Sequence, residues 1–410
     1  MLKTTQLVKK SSVEPLVKLW AERYVPDLST LSSIEGGLTP TDLIAASSRE
    51  GRIQTVAEMR RLVQIHCERA GMKTNALFSY VPNVVNLAEA RRLAQFGAKA
   101  YSKAMDVYLQ QSPSTSSLAA MRLTLTQNNS EKVIDFSSKV FANWAKQALE
   151  LPAIEQLYTE IEPSLLELQE QHLVSKDPRT IGFINTQFHF SAALILKKLT
   201  LAEQVLISPY LKFIEEQACI PWRRVCSAAA QHEPSSPILA IVEQMLPLSH
   251  EIANKVYSQC IELFPHHQSR RGGLIDPGVT ASTTRDLNMF QSYLWLCVLE
   301  ESMAAVEQEL VPLCVMVFPS VDVAWDLVAD MTQLLIDEVL DRIPANSKHL
   351  VQPYAHTMNE IFSNLEQKAD ELSQGLYKFV ADSMRLTMRH SAKSDTGDWS
   401  LETDQSHSPA

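Results

Sequence analysis

The sequence predicts an all-α protein, a multi-helix bundle of two packed helical units with no significant sheet. Three observations carry that expectation. Only 11 of the 410 residues are glycine, where an average chain holds about 7%. The tight hairpins and strained turns of β and α/β folds therefore lack the backbone they need. Alternating apolar–polar runs are nearly absent, with Leu123-Thr124-Leu125-Thr126 the one short strand-like candidate. Helix starts and stops, by contrast, recur along the whole chain.

Residues 11–24 read as a short amphipathic helix, followed by a loose stretch to Leu38. Thr39-Pro40-Thr41-Asp42 then supplies a cap, a proline at the first helical position and an acid in the first turn, for a helix to about Ala70. A helix from near Asn86 to Gln111 stops at the Ser/Thr-rich stretch 112–117, read as a linker. Helical patterns resume over 130–150 and 152–176, and Asp177-Pro178 starts another to Lys198. Thr200 and Glu203 form a capping box for a helix to Ile220, where Pro221 breaks it and a short helix follows. Ser236-Pro237 opens the stretch that ends at Phe264, and Pro265 to Arg285 is the longest irregular segment. Thr283 and Asp286 are expected to cap a helix to Val311, Pro319-Ser320 to start one to Ile343, and a long one to run from His349 to His390. The expected organisation is a basic helical segment over 1–111, an acidic bundle over 118–390 and a disordered acidic tail over 391–410. No repeat of 20–50 residues recurs, which speaks against a solenoid.

Charge is unevenly spread. Residues 1–111 carry 15 Lys/Arg against 10 Asp/Glu, and the remainder 22 against 37. Apolar residues make up 45% and charged residues 20%, as in an ordinary soluble protein. Met1–Lys10 has no apolar core for a signal peptide, and Leu310–Phe318 is about half the length of a membrane span. Six cysteines without CxxC or zinc spacing fit reduced thiols, so the expected compartment is the cytoplasm, with no membrane contact. The glycines form no dinucleotide fingerprint, P-loop or nucleophile elbow, and the histidines no HExxH or ExxH pair. His189, in the apolar run Gln187–Phe190, reads as a core histidine in preference to a haem ligand. No cofactor and no catalytic residue is expected.

Two charged stripes and one loop are the candidate sites. Asp322, Asp326, Asp330, Asp337 and Asp341 fall within about 100° of one another on the helix expected over 320–343. Like charges four apart repel, and no cation lies among them. The ladder is thus a solvated face, a docking surface for a basic partner, or a metal site. Its Asp322/Asp326 and Asp337/Asp341 pairs share the DxxxD spacing of magnesium-dependent prenyl-transferring enzymes, but they lie on one helix rather than on facing ones. Arg91, Arg92, Lys99 and Lys103 form a basic stripe on the 86–111 helix, a solvated face or a phosphate contact. The stripe and the ladder are also candidates to meet each other, within one molecule or between copies. The 265–285 loop reads as a disordered segment or as a functional one, in which His266, His267, Arg270 and Arg271 are candidates for anion recognition.

The function expected from these features is that of a non-enzymatic regulatory or adaptor protein. It would meet a protein partner with a basic surface, or itself. A nucleic-acid-associated regulator using the basic stripe is the alternative, and a magnesium-dependent all-α enzyme of the prenyl-diphosphate type the second.

Overall fold

The computed structural model describes residues 14–21, 24, 38–79, 87–127, 156–157, 160–161, 164, 167 and 180–365. It is an all-α, multi-helix protein with a single two-stranded ribbon among the described residues. Met1–Ser363 form one compact unit and Asn364–Ala410 a second. The helices expected over 130–150 and 152–176, and the tail over 391–410, lie outside the described residues or nearly so.

The first unit opens with α1 (Glu14–Ala21) and α2 (Pro40–Ser47). The capping box at Thr39 and Asp42 forms as expected, with Asp42 N–H donating to Thr39 Oγ1 and Thr39 N–H to the Asp42 carboxylate. The single helix expected to run to Ala70 is instead two. Ser48 closes α2, and its Oγ accepts from Gly51 N–H at 3.0 Å to open α3 (Arg49–Leu77). Gly51 allows that corner, because a Cβ there would lie 2.1 Å from the Ala45 carbonyl oxygen and 2.8 Å from Ala46 Cα.

Arg52, one residue on, is buried and takes on two helix ends. Its guanidinium donates to the carbonyl of Ser47 at 3.2 Å and to that of Tyr108 at 2.7 Å, and stacks 4.4 Å over the Tyr108 ring. Ser47 ends α2 and Tyr108 lies in the last turn of α4 (Leu87–Gln110), so one cation meets the negative ends of two helix dipoles. α5 (Thr115–Gln127) follows and absorbs the strand-like candidate at 123–126, since no neighbouring strand exists for it to pair with among the described residues.

α6 (Thr180–Leu196) and α7 (Leu201–Cys219) pack on α3 and α4. The capping box at Thr200 and Glu203 is present, and Pro221 separates α7 from α8 (Trp222–Ala229). Trp222 stacks on Trp20 of α1 with ring centroids 4.1 Å apart, and Tyr24 donates to Glu216 of α7 at 2.7 Å. α9 (Pro237–Met245) and α10 (Ser249–Leu263) lead to the ribbon, β1 (Gln268–Ser269) and β2 (Gly272–Gly273).

α11 (Pro277–Glu300) is the central pillar: every residue from Leu287 to Leu299 is buried, so its apolar character runs right round the helix. Thr283 and Asp286, expected as a cap, lie inside it; the proline at 277 sets its start instead. A π-helical turn (Val306–Leu310) precedes α12 (Val311–Ser320), where Pro312 has no N–H to continue the regular ladder. α13 (Trp325–Arg342) and α14 (Lys348–Ser363) complete the unit.

The ladder helix was expected from Ser320, but Pro319 and Ser320 end α12 and α13 begins at Trp325. The reason is a Schellman turn. Asp322 adopts the left-handed region (φ 57°), Val323 N–H donates to Phe318 O at 3.0 Å and Asp322 N–H to Pro319 O at 3.3 Å. Glu301 (φ 51°) ends α11 in the same way, with Ser302 N–H donating to Cys297 O at 3.1 Å. No helix of the described residues is long and apolar enough to cross a membrane.

Two packing details generate predictions. Gly51→Ala should destabilise the protein by about 2 kcal/mol or more, because the obstructing atoms are backbone and cannot rotate away; urea denaturation measures it. His66 is buried, and neither ring nitrogen has a hydrogen-bond partner among the described residues. Burial, with the nearby Arg69 and Lys198 cations, lowers its pKa from the ordinary 6.5. The unfolded chain then binds the extra proton, so stability should fall as pH drops through about 6.5. His66→Leu should flatten that dependence in a pH series of thermal melts.

Candidate functional site

The 265–285 segment, read from sequence as irregular, is ordered. β1 and β2 pair antiparallel, Gln268 with Gly273 and Ser269 with Gly272, leaving Arg270 and Arg271 at the turn. Gly272 holds φ 119°, and a Cβ there would lie 2.0 Å from Asp276 Oδ2. That carboxylate accepts from Gly273 N–H at 2.7 Å, and Tyr257 of α10 donates to the Leu274 carbonyl. On the other side Arg270 N–H donates to Val321 O at 2.9 Å, and its side chain pairs with Asp322 at 2.8 Å. The ribbon is therefore tied to α10, to the start of α11 and to the α12–α13 turn.

Beneath it lies a cavity of about 120 Å³. Its walls are apolar: Phe190 of α6, Phe290 of α11, Phe318 of α12, and Leu327, Val328 and Met331 of α13. Its polar lining comes from Arg271 and Ser269 on the ribbon, Thr186 and His189 on α6, Ser282, Thr283, Arg285 and Asp286 on α11, and Thr332 on α13. His267 also lines the cavity, and its Nε2 is buried without a hydrogen-bond partner among the described residues.

The His189 and Arg285 part of this lining is organised by Glu215 of α7, whose side chain is 12% exposed. Its Oε1 lies 3.1 Å from His189 Nδ1 and 2.8 Å from Arg285 Nη1. Arg285 also pairs with Asp286 at 2.8 Å. Arg271 Nη2 lies 3.0 Å from His189 Nε2. Nδ1 also lies 3.2 Å from Arg285 Nη1, so the imidazole stands between two guanidinium donors and the Glu215 carboxylate. Burial pushes the Glu215 carboxyl up, but the His189 hydrogen bond and the Arg285 cation outweigh it and bring its pKa down to about 2. Burial and the neighbouring Arg285 cation lower the pKa of Arg271. A second, more polar groove of about 420 Å³ lies on the far side of the same wall. It shares His189 and Arg285 with the cavity, and adds Glu215, Lys212, His250 and Asn254.

The residues singled out from sequence fall in several places. His267 and Arg271 are at the cavity, Arg270 is engaged by Asp322, and His266 faces solvent. Asp326, Asp330, Asp337 and Asp341 share the exposed face of α13, while Asp322 stands in the turn before it, also exposed. Lys348 approaches Asp341 to 3.9 Å, and Gln333 donates to Asp337 at 2.8 Å. Asp322 and Asp326 therefore do not form a one-turn pair on a helix, and no group of three or more His, Cys, Asp or Glu suited to a metal occurs among the described residues.

On α4, Arg92 pairs with Glu89 and Lys103 with Glu160 at 3.3 Å, whereas Arg91 and Lys99 are exposed. Among the described residues no stripe cation pairs with a ladder aspartate. Cys67, Cys226, Cys260, Cys297 and Cys314 are free and buried. Burial pushes Cys67 and Cys260 up to about 12 and Cys297 to about 11, so these thiols stay protonated and unreactive.

Sequence reasoning missed Glu215 and Arg285 altogether and left His189 as a core residue. Residues 189, 215, 271 and 285 meet only through tertiary packing, and no local spacing announces them. Comparison with family models, with curated proteins and with solved structures finds no match to this chain.

The Glu215 cluster predicts acid behaviour. Its folded pKa is depressed, so its stabilisation is complete above the ordinary 4.5 and is lost as pH falls toward about 2. Glu215→Gln should cost about 3 kcal/mol at pH 7 by leaving Arg285 short of its partner. It should also remove that part of the acid-side slope, as read from urea denaturation at a series of pH values.

Proposed function

We propose that this is a non-enzymatic, cytoplasmic regulatory protein that takes a small molecule into the ribbon-covered cavity and presents the acidic face of α13 to a basic protein partner. One observation carries this reading: α13 divides its two faces between the two environments. Leu327, Val328, Met331 and Thr332 line the cavity, while Asp326, Asp330, Asp337 and Asp341 stand in solvent. Occupancy of the cavity thus acts on the helix that carries the charge. Lys348 meets this stripe only at Asp341, 3.9 Å away, so an opposing cationic surface has charge to engage, and such contacts favour specificity and fast association.

Buried, protonated thiols support a reducing compartment. A nucleic-acid role has less support, since Glu89 and Glu160 already engage two of the four stripe cations. A second copy offering Arg91 and Lys99 is the remaining partner of the right charge.

The test is affinity capture from the native cells with the wild type and with a variant carrying Asp326→Asn, Asp330→Asn and Asp337→Asn. A basic partner, or the chain itself, should be retained by the wild type, released by added salt and absent from the variant. Identical captures from both would overturn the docking role of this face.

A further inference from the structure

We propose that the cavity binds a monocarboxylate with a benzene-sized apolar body, its carboxylate paired with Arg271. The proposal rests on the reading that the cavity takes a small molecule, and it names the class of that molecule. The charge follows from which cation is left over. Arg285 is held between the carboxylates of Glu215 and Asp286 at 2.8 Å from each. Arg271 has no carboxylate within 4.0 Å among the described residues, and its side-chain hydrogen bond goes to the His189 ring at 3.0 Å. It is exposed on its outer side and lines the cavity on its inner side, so a ligand can reach it from solvent. A guanidinium forks onto a carboxylate through two parallel hydrogen bonds.

A second observation points the same way. His267 Nε2, on the cavity wall, is buried without a partner among the described residues, and such an atom is normally satisfied by protein, water or ligand. It supplies a hydrogen-bonding position separate from Arg271. Asp286 also lines the cavity, and its charge disfavours a dianion such as a phosphate monoester. A single negative charge fits best.

Size and polarity fix the rest. The cavity holds about 120 Å³, somewhat less than the roughly 150 Å³ apolar cavity that accepts benzene. Phe190, Phe290, Phe318, Leu327, Val328 and Met331 make up most of its remaining wall, and the Thr332 hydroxyl among them already donates to the Val328 carbonyl at 2.7 Å. The ligand is therefore mainly apolar beyond its carboxylate.

Phenylacetate, 2-phenylethanol and phenethylamine share one apolar body and differ in charge, so they serve as probes. Isothermal titration of each into the wild type and into Arg271→Gln separates the possibilities, with the melting temperature reporting that the variant folds. Phenylacetate should bind the wild type at least about tenfold more tightly than the other two, the effect of one charge-assisted pair. Arg271→Gln should abolish that advantage and leave 2-phenylethanol unchanged. Equal binding of alcohol or amine, or an undiminished preference in the variant, would overturn the carboxylate assignment while leaving the cavity a small-molecule site. Absence of saturable binding by all three would overturn both readings.

Discussion

Glu215 is the group on which the rest of this site depends. One buried carboxylate, carried by α7, receives hydrogen bonds from His189 of α6 and Arg285 of α11. A buried carboxylate is costly unless it is paired and bonded, and Glu215 is both. In return it joins three helices through one polar cluster, in which His189 Nδ1 faces both Glu215 and Arg285. On its other side the ring meets Arg271, whose Nη2 lies 3.0 Å from Nε2. His189 and Arg285 line both the apolar cavity and the polar groove beside it, and Glu215 holds them from the groove side. Were Glu215 neutral, Arg285 would lose one of its two carboxylate partners.

The scarcity of glycine shapes the surroundings. Two helix ends that would ordinarily turn on a left-handed glycine turn on Glu301 and Asp322 instead. A left-handed residue with a side chain is strained by roughly 1–2 kcal/mol, so something must hold it there. For Asp322 the holder is visible: Arg270 pairs with its carboxylate, and Arg270 N–H bonds the adjoining Val321 carbonyl. The chain does place a glycine where no alternative exists. Gly272 adopts φ 119° against the Asp276 carboxylate, and the ribbon turn could not form around a Cβ.

What the sequence made legible was local. The capping boxes at Thr39/Asp42 and Thr200/Glu203, the break at Pro221 and the all-α class all follow from signals within a few residues of one another. Prolines misled where their position in a helix was ambiguous. Pro319 reads equally as a first-turn residue or as the last-turn residue it is, and the choice moved Asp322 from a turn onto a helix. The loop at 265–285 looked unstructured because its order comes from Asp322, Tyr257 and Asp276, of which the first lies about fifty residues away in sequence. Arg271 and His267 were legible as candidate anion groups from their chemistry. The carboxylate that organises them was not, because pairing across 70 residues leaves no periodic trace.

The acidic helix is not held evenly, and that bears on how the cavity could reach a partner. Toward its C-terminal end Glu338 is buried and pairs with Lys255 of α10 at 2.5 Å and with Arg342 at 2.6 Å, while Arg342 also reaches Glu251. Burial raises the Glu338 pKa, but hydrogen bonds from Lys255 and Arg342 outweigh it, and the net shift is downward. These bonds tie that half to α10. The N-terminal half rests instead on the cavity, through Leu327, Val328 and Met331, and is steadied from outside by the exposed pair of Arg270 with Asp322. An exposed pair contributes about 0–1 kcal/mol, far less than a buried one resists being broken. A ligand that filled the cavity would thus act on the weakly held half. Under the proposed function the consequence falls on Asp326 and Asp330, which ride on that half, while Asp337 and Asp341 stay with the anchored end. The acidic face is then two surfaces: a fixed pair that gives a basic partner its register, and a responsive pair whose position the cavity sets.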